Sequence, residues 1–314
     1  MKKEKVKKLE KRMQLVNKNQ KKQEKAVARI RSWKKQMFYG YGYREFIKKG
    51  EHKLTIKKHI TKEEYDNHTT RLSEINKLNA MTNVYNLLDR NGKEFLTYST
   101  KIKEQLEKYN EDSIGLEANR LLINYLSSLS MFIDYGEKYN KKYFDKEKLK
   151  EFQKNTNEFY DGHVSYRFMV LMRNYALHYG FPLSIIKQSI SGLNGIFASK
   201  EALLQFKAWK HVKEDIEKMP NLISLDIHVE ISMMFIKHLY DNYVYDIAPV
   251  VLKGIEHLNN MIKTNEEKIP ILVTFKNKEE FKRGNISVNF IKTKPYQDAL
   301  KIIDNHPSIN IIKK

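Results

Sequence analysis

The chain has 314 residues, 41% hydrophobic and 31% charged, enough for one large domain or two modest ones with a packed interior. Lys and Arg number 58 against 38 Asp and Glu, a formal net charge of +20 that points first to nucleic acid and second to an anionic membrane surface as partner. The absence of Cys excludes disulfides, thiolate metal sites, iron–sulfur clusters and cysteine nucleophiles, and suits a reducing cytoplasm. The N-terminus is basic with no apolar stretch behind it, and no run approaches the ~18 apolar residues of a membrane span. A soluble, cytoplasmic protein without a membrane partner is expected.

Residues 1–37 read as a basic helix. Val6, Leu9, Met13, Val16, Val27 and Ile30 fall at three- and four-residue steps, with Gln20 and Gln23 filling the middle of a narrow stripe. A packing arm, a dimer strap and a nucleic-acid-binding arm all fit that pattern. The packing arm, with its Lys face solvated, is the preferred reading. Phe38-Tyr39-Gly40-Tyr41-Gly42-Tyr43 then reads as a break that closes an arm over 1–44. Beside Lys34, Lys35 and Arg44 its rings would stack unpaired bases while the cations hold phosphates, or else form a hydrophobic plug. Asp89-Arg90-Asn91-Gly92-Lys93 reads as a turn from its Asn-Gly pair.

Helical periodicity is clear over 116–142. Leu122, Leu126, Leu129 and Ile133 recur at steps of four, three and four, and Leu121, Tyr125 and Phe132 widen the face. A second long helix is expected over 147–179, carrying Phe168, Met172, Tyr175 and Tyr179 along one stripe and stopped by Gly180-Phe181-Pro182. Further helices are expected over 183–218 and 222–263, separated at Pro220. The tail changes character: Ile269–Phe275 and Ile286–Ile291 are β-branched and apolar, and a short helix follows at 295–305. The reading is a mainly α chain in three parts: the arm over 1–44, a helical domain over 45–265, and a small α/β element over 266–314.

The informative segment is Met172-Arg173-Asn174-Tyr175-Ala176-Leu177-His178-Tyr179-Gly180-Phe181-Pro182. It places Arg, four residues and His at the end of a long amphipathic helix, with Asn directly after the Arg. This resembles the signature of the HEPN superfamily. The resemblance extends upstream to Glu117-Ala118-Asn119-Arg120-Leu121-Leu122-Ile123-Asn124-Tyr125-Leu126-Ser127-Ser128, which looks like the helix that pairs with the motif-bearing one. Together these stretches cover about 115–185, under half of the chain.

The resemblance implies an antiparallel helical bundle that dimerises and sets the motifs of two subunits around one cleft. It also implies metal-independent RNA cleavage, often in toxin–antitoxin or phage-defence (abortive infection) systems with an antitoxin or defence-system partner, although some members bind without cutting. On that reading Arg173, Asn174 and His178 are the catalytic candidates, Tyr179 joins Lys34, Lys35 and Arg44 as RNA-binding candidates, and no cofactor or metal is called for.

The physical chemistry is compatible. Asn174 and His178 are four apart and share a helix face, whereas Arg173 and His178 are separated by about 7.5 Å along the axis and ~140° around it. A two-fold axis relieves that splay by bringing in a second copy of each. RNA brings its own nucleophile, the 2′-hydroxyl; His is suited to proton transfer near neutral pH, and Arg to a bidentate grip on the scissile phosphate. The bland alternatives are an Arg paired with an acid and a His favoured by the negative end of its helix.

Other motifs are weaker. Asp226, His228 and Glu230 would share one side of a strand as metal ligands, but their surroundings read as helical, which splays them. Gly192–Gly195 lacks the ending of a phosphate loop, and no Gly-x-Ser-x-Gly is present. Besides the ribonuclease, two readings stand: a non-catalytic RNA- or nucleotide-binding module, and a helical structural protein that binds a partner through 1–37.

Overall fold

The computed structural model describes residues 37–49, 51–188 and 193–311. The helix expected over 1–37, with Lys34 and Lys35, falls almost wholly outside the described residues. In chain order the elements are β1 (Phe38–Lys48), β2 (Glu51–Ile60), α1 (Lys62–Ser73), α2 (Ile75–Thr100), α3 (Ile102–Leu106) and α4 (Glu111–Tyr143). They continue with α5 (Lys146–Gly162), α6 (Val164–His178), β3 (Leu183–Gln188), β4 (Leu193–Ser199) and α7 (Lys200–Leu204). After a 3-10 turn at Lys207–Trp209 come α8 (Val212–Lys218), β5 (Leu222–Ile223) and α9 (Asp226–Thr264). The chain closes with β6 (Ile269–Phe275), α10 (Lys278–Lys282), β7 (Ser287–Phe290) and α11 (Lys294–Asp304). The protein is mainly helical. No described helix is long and apolar enough to cross a membrane.

Two compact units result: one joins the chain up to Ser73 with Gly254–Thr293, the other joins Glu74–Lys253 with the stretch from Lys294 onward. These boundaries differ from the three parts expected at 1–44, 45–265 and 266–314, because the C-terminal strands pair with N-terminal ones.

The first unit is built on a four-stranded antiparallel sheet in the order β2-β1-β6-β7. The Gly-Tyr stretch expected as a chain break is the first half of β1, so 38–44 belongs to a sheet and not to an arm. Strand alternation explains why. Tyr41 donates its hydroxyl to the Met261 carbonyl at 2.9 Å, accepts from Asn265 and stacks on His68; Tyr39 packs on Tyr65. Gly40 and Gly42 turn the other way. A Cβ on Gly40 would meet Val273 and Ile56, and one on Gly42 would strike the Thr55 backbone at the bulge that follows Tyr41. Tyr39 and Tyr41 therefore pack between sheet and helix, while Tyr43 is partly exposed and carries Lys268 over its ring at 4.4 Å. On the glycine side Ile271, Val273 and Phe275 are buried, with Leu54, Ile56, Ile286 and Val288 packed against them.

The second unit is a helical bundle around α2, α4, α6 and α9. The expected stripe on α4 is its core face: Leu122, Tyr125, Leu126, Leu129 and Phe132 are buried. The helix is capped by Asn110, whose Oδ1 accepts from the Ser113 amide at 2.8 Å. Tyr85 stacks on Tyr240 at 4.1 Å, which joins α2 to α9. Asn91-Gly92 makes no turn. It lies inside α2, where a Cβ on Gly92 would collide with the Met233 sulfur, so close helix approach explains the glycine.

The helix expected over 147–179 is two helices. α5 ends at Gly162, and His163, with φ −131° and ψ 111°, is extended backbone that starts α6. The helix expected from 183 is instead strands β3 and β4, followed by α7, the 3-10 turn and α8; β5 then pairs with β4 to complete a small antiparallel sheet in the order β3-β4-β5. Of the expected elements, the helix over 222–263 matches α9 closely, the strands match β6 and β7, and the helix over 295–305 matches α11.

Candidate functional site

α6 positions the Arg-x4-His segment. Its buried side, Tyr166, Phe168, Met169, Met172 and Tyr175, locks into the bundle and fixes the direction of everything else on the helix. Its end is held by a second device. Asn119 on α4, 2% exposed, donates from Nδ2 to the Leu183 carbonyl at 2.9 Å and accepts from the Leu183 amide at 3.1 Å. This pair fastens the chain just past Pro182 to α4, so the helix terminus at His178 has little freedom. Asn119 lies in the upstream stretch that carried the resemblance. α4 and α6 therefore run antiparallel, since the start of one meets the residue that follows the other.

Between α4, α5 and α6 lies a cavity of about 320 Å³. Leu126, Leu129, Tyr166 and Val170 line its apolar part; Ser130, Asp134, Glu137, Asn157 and Tyr160 supply polar groups; Arg173 and Asn174 close one end. Arg173 Nε is shut away from solvent without a hydrogen-bond acceptor. Among the described residues no ion pair includes Arg173, even though Asp134 and Glu137 line the same cavity. Glu137 accepts instead from Gln153 at 3.3 Å.

The structure separates the expected catalytic set. Arg173 and Asn174 share the cavity. His178, the last residue of α6, is exposed and does not line it. Among the described residues His178 makes no side-chain hydrogen bond; it stands in the last turn of α6, where the negative helix end favours a cation.

Tyr179 is half exposed. Its hydroxyl donates to Gln205 Oε1 at 3.3 Å, and its ring packs on Tyr175 and Phe206 at 5.1 and 5.6 Å. It extends an aromatic cluster anchored by fully buried Trp209. Arg44 is in the other unit, on β1, with its guanidinium 5.3 Å from the Phe290 ring centre.

The cavity's acidic and amide lining was not identified in the sequence. Ser130, Asp134 and Glu137 sit at steps of four and three on α4, beside the leucine stripe, so a polar stripe next to an apolar one was the available signal.

The weaker candidates resolve differently. Asp226, His228 and Glu230 open α9, where the helical spacing parts them. Asp226 accepts from Ser99 at 2.7 Å, and its burial pushes the carboxyl above the usual range. His228 contacts Ser165 at 2.9 Å, and burial holds its imidazole below the usual range. Among the described residues no three His, Asp or Glu side chains are grouped to hold a metal ion. No family model, curated protein or solved structure matches this chain.

Proposed function

We propose that the chain is a metal-independent endoribonuclease of the HEPN type that acts as a toxin or phage-defence effector. One observation carries the reading: an Arg with a buried, acceptorless Nε and an exposed His, neither with a side-chain partner among the described residues, stand five residues apart on one helix end. Buried donors are as a rule satisfied within the chain, and an exception calls for an explanation, which a bound anion supplies here.

An RNA phosphate at Arg173 supplies the missing acceptors, and Asn174 donates beside it. His178 takes the proton of the 2′-hydroxyl, whose oxygen bonds to phosphorus as the bond to the 5′-oxygen breaks. A proton returned to that leaving oxygen completes the step, giving a 2′,3′-cyclic phosphate and a 5′-hydroxyl. Because His178 does not line the cavity of its own chain, the active form is a homodimer in which one copy's His178 faces the other copy's Arg173.

The test is to incubate purified protein with mixed cellular RNA in EDTA, comparing wild type with His178→Ala. Fragments ending in cyclic phosphate from wild type alone support the reading; intact RNA in both sinks it. The position of His178 outside the cavity favours a second reading, an RNA- or nucleotide-binding module without cleavage. That reading predicts equal binding by both proteins and no cutting.

A further inference from the structure

Strand register in the first unit puts a second group of residues on one surface. Arg44 pairs with Leu54 on β2 and Ile269 on β6, Phe46 pairs with His52, and Phe290 on β7 pairs with Ile271. Leu54 and Ile271 belong to the buried cluster on the glycine side of the sheet. Arg44, Phe46, His52 and Phe290 therefore continue that side beyond the cluster.

There the side opens to solvent. Phe46 is 69% exposed and Phe290 46% exposed. Phe46 meets the edge of His52 at 5.7 Å, and Arg44 reaches over Phe290 at 5.3 Å. β1 and β7 are separated by β6, and Phe46 lies four residues along β1 from Gly42, which stands level with Ile271 and Phe290, so the two phenylalanines are roughly 16 Å apart on a diagonal across the sheet, with Arg44 at an intermediate position along β1. Lys48 and Lys49 are exposed at the hairpin end beside Phe46.

We propose that this surface is a platform for single-stranded RNA, on which Phe46 and Phe290 each stack an unpaired base and Arg44 holds a phosphate of the strand that spans them. It rests on the RNA reading above and names how that substrate is gripped away from Arg173. Charge and pattern select this occupant. A protein partner or lipid favours a continuous apolar patch, whereas here a cation interrupts two rings. Alternating π-faces and positive charge match the alternating bases and phosphates of a single strand, on a chain whose net charge is +20. Duplex RNA offers no free base faces and does not fit.

The measurement is fluorescence anisotropy of labelled single-stranded oligoadenylate with the full chain carrying His178→Ala, so that cutting does not confuse binding. Phe46→Ala and Phe290→Ala each weaken binding about 5- to 100-fold, and Phe46→Tyr restores it. Arg44→Ala weakens binding and lowers the salt slope by about one. Both rings are exposed, so thermal midpoints stay at the parent value. Unchanged affinity in all three alanine variants overturns the platform, as does a parent that binds duplex as well as single strand. Retained RNA affinity with loss of binding to anionic phosphatidylserine vesicles assigns the surface to membranes instead. The outcome is separable from the catalytic reading: a wild type that never cuts, with RNA affinity lost in Phe46→Ala, keeps the platform and removes the nuclease.

Discussion

The two ends of α6 carry the same residue type in opposite states. Near its start, Arg167 donates from Nε and Nη2 to Asp215 at 2.6 and 2.9 Å and from Nη1 to the Asp161 carbonyl at 2.8 Å. Less than two turns later, Arg173 has a buried Nε with no acceptor. The motif singles out Arg173 in the sequence, but helix pattern alone does not separate the two, since both are arginines on one amphipathic helix. The difference teaches how to tell a structural cation from one kept for a ligand. The first is saturated by its own chain, and the second is left open at a cost of desolvation that a ligand would offset.

The largest effect should come from the open end. Arg173→Ala and His178→Ala should each lower RNA cleavage by about 10²- to 10⁴-fold, with the urea midpoint nearly unchanged. Retained cleavage in either variant would break the comparison. At the saturated end, Arg167→Ala leaves Asp215 without its partner and should cost about 1–3 kcal/mol of stability, read by urea titration. Its cleavage per folded molecule should match wild type. An unshifted midpoint would show that saturation is no guide to a structural role.

A smaller loss is expected from Asn119→Ala. It strips the Leu183 amide and carbonyl of their partners and should cost about 1–2 kcal/mol. Amide exchange at Leu183 should speed up, and cleavage should fall several-fold as the His178 end loosens. Exchange at the wild-type rate would show that Pro182 and the surrounding packing, not Asn119, fix that end.

The smallest effect is in pH. The hydrogen bond from Arg167 holds the Asp215 carboxyl below its ordinary range. Its stabilisation is therefore complete above the unfolded value near 4 and is lost as pH falls through the lower folded value. The stability gap between wild type and Asp215→Asn should be constant from pH 7 to about 5 and close in stronger acid. A gap that persists to pH 2 would assign the contribution to packing rather than charge.

Legibility in the sequence followed the strength of periodic signals. α4 and α9 were readable because leucines and other apolar residues repeat at helical steps over several turns, and β6 and β7 because β-branched runs are bounded by Lys and Gly. β1 was missed because its alternation is Gly against Tyr, which looks like a break unless one side of the strand must lie flat against a neighbour. β3 and β4 were missed because Leu183–Ser199 is a short apolar stretch whose period fits helix and strand alike, so its pairing partner decides. The split at His163 had a readable sign in Asp161-Gly162, which the apolar stripe on either side outweighed.

At the site, the sequence supplied Arg173, Asn174 and His178 but not their division between a cavity and an open surface. That division depends on which way each side chain leaves the helix relative to α4 and α5. The clamp from Asn119 depends on two segments, 64 residues apart in sequence, meeting at one amide.

β1 completes its pairing with β6, whose residues come more than two hundred positions later in the chain: Phe38 pairs with Phe275. During synthesis at about 5–20 residues per second, the β1–β2 hairpin would wait roughly ten to fifty seconds for that partner. Meanwhile Glu74–Lys253, which holds Arg173 and His178 and most of the second unit, is made before β6. A nascent or prematurely ended chain would thus possess the chemical groups without a finished sheet. The emergence of Ile269–Phe275 would decide when the sheet closes.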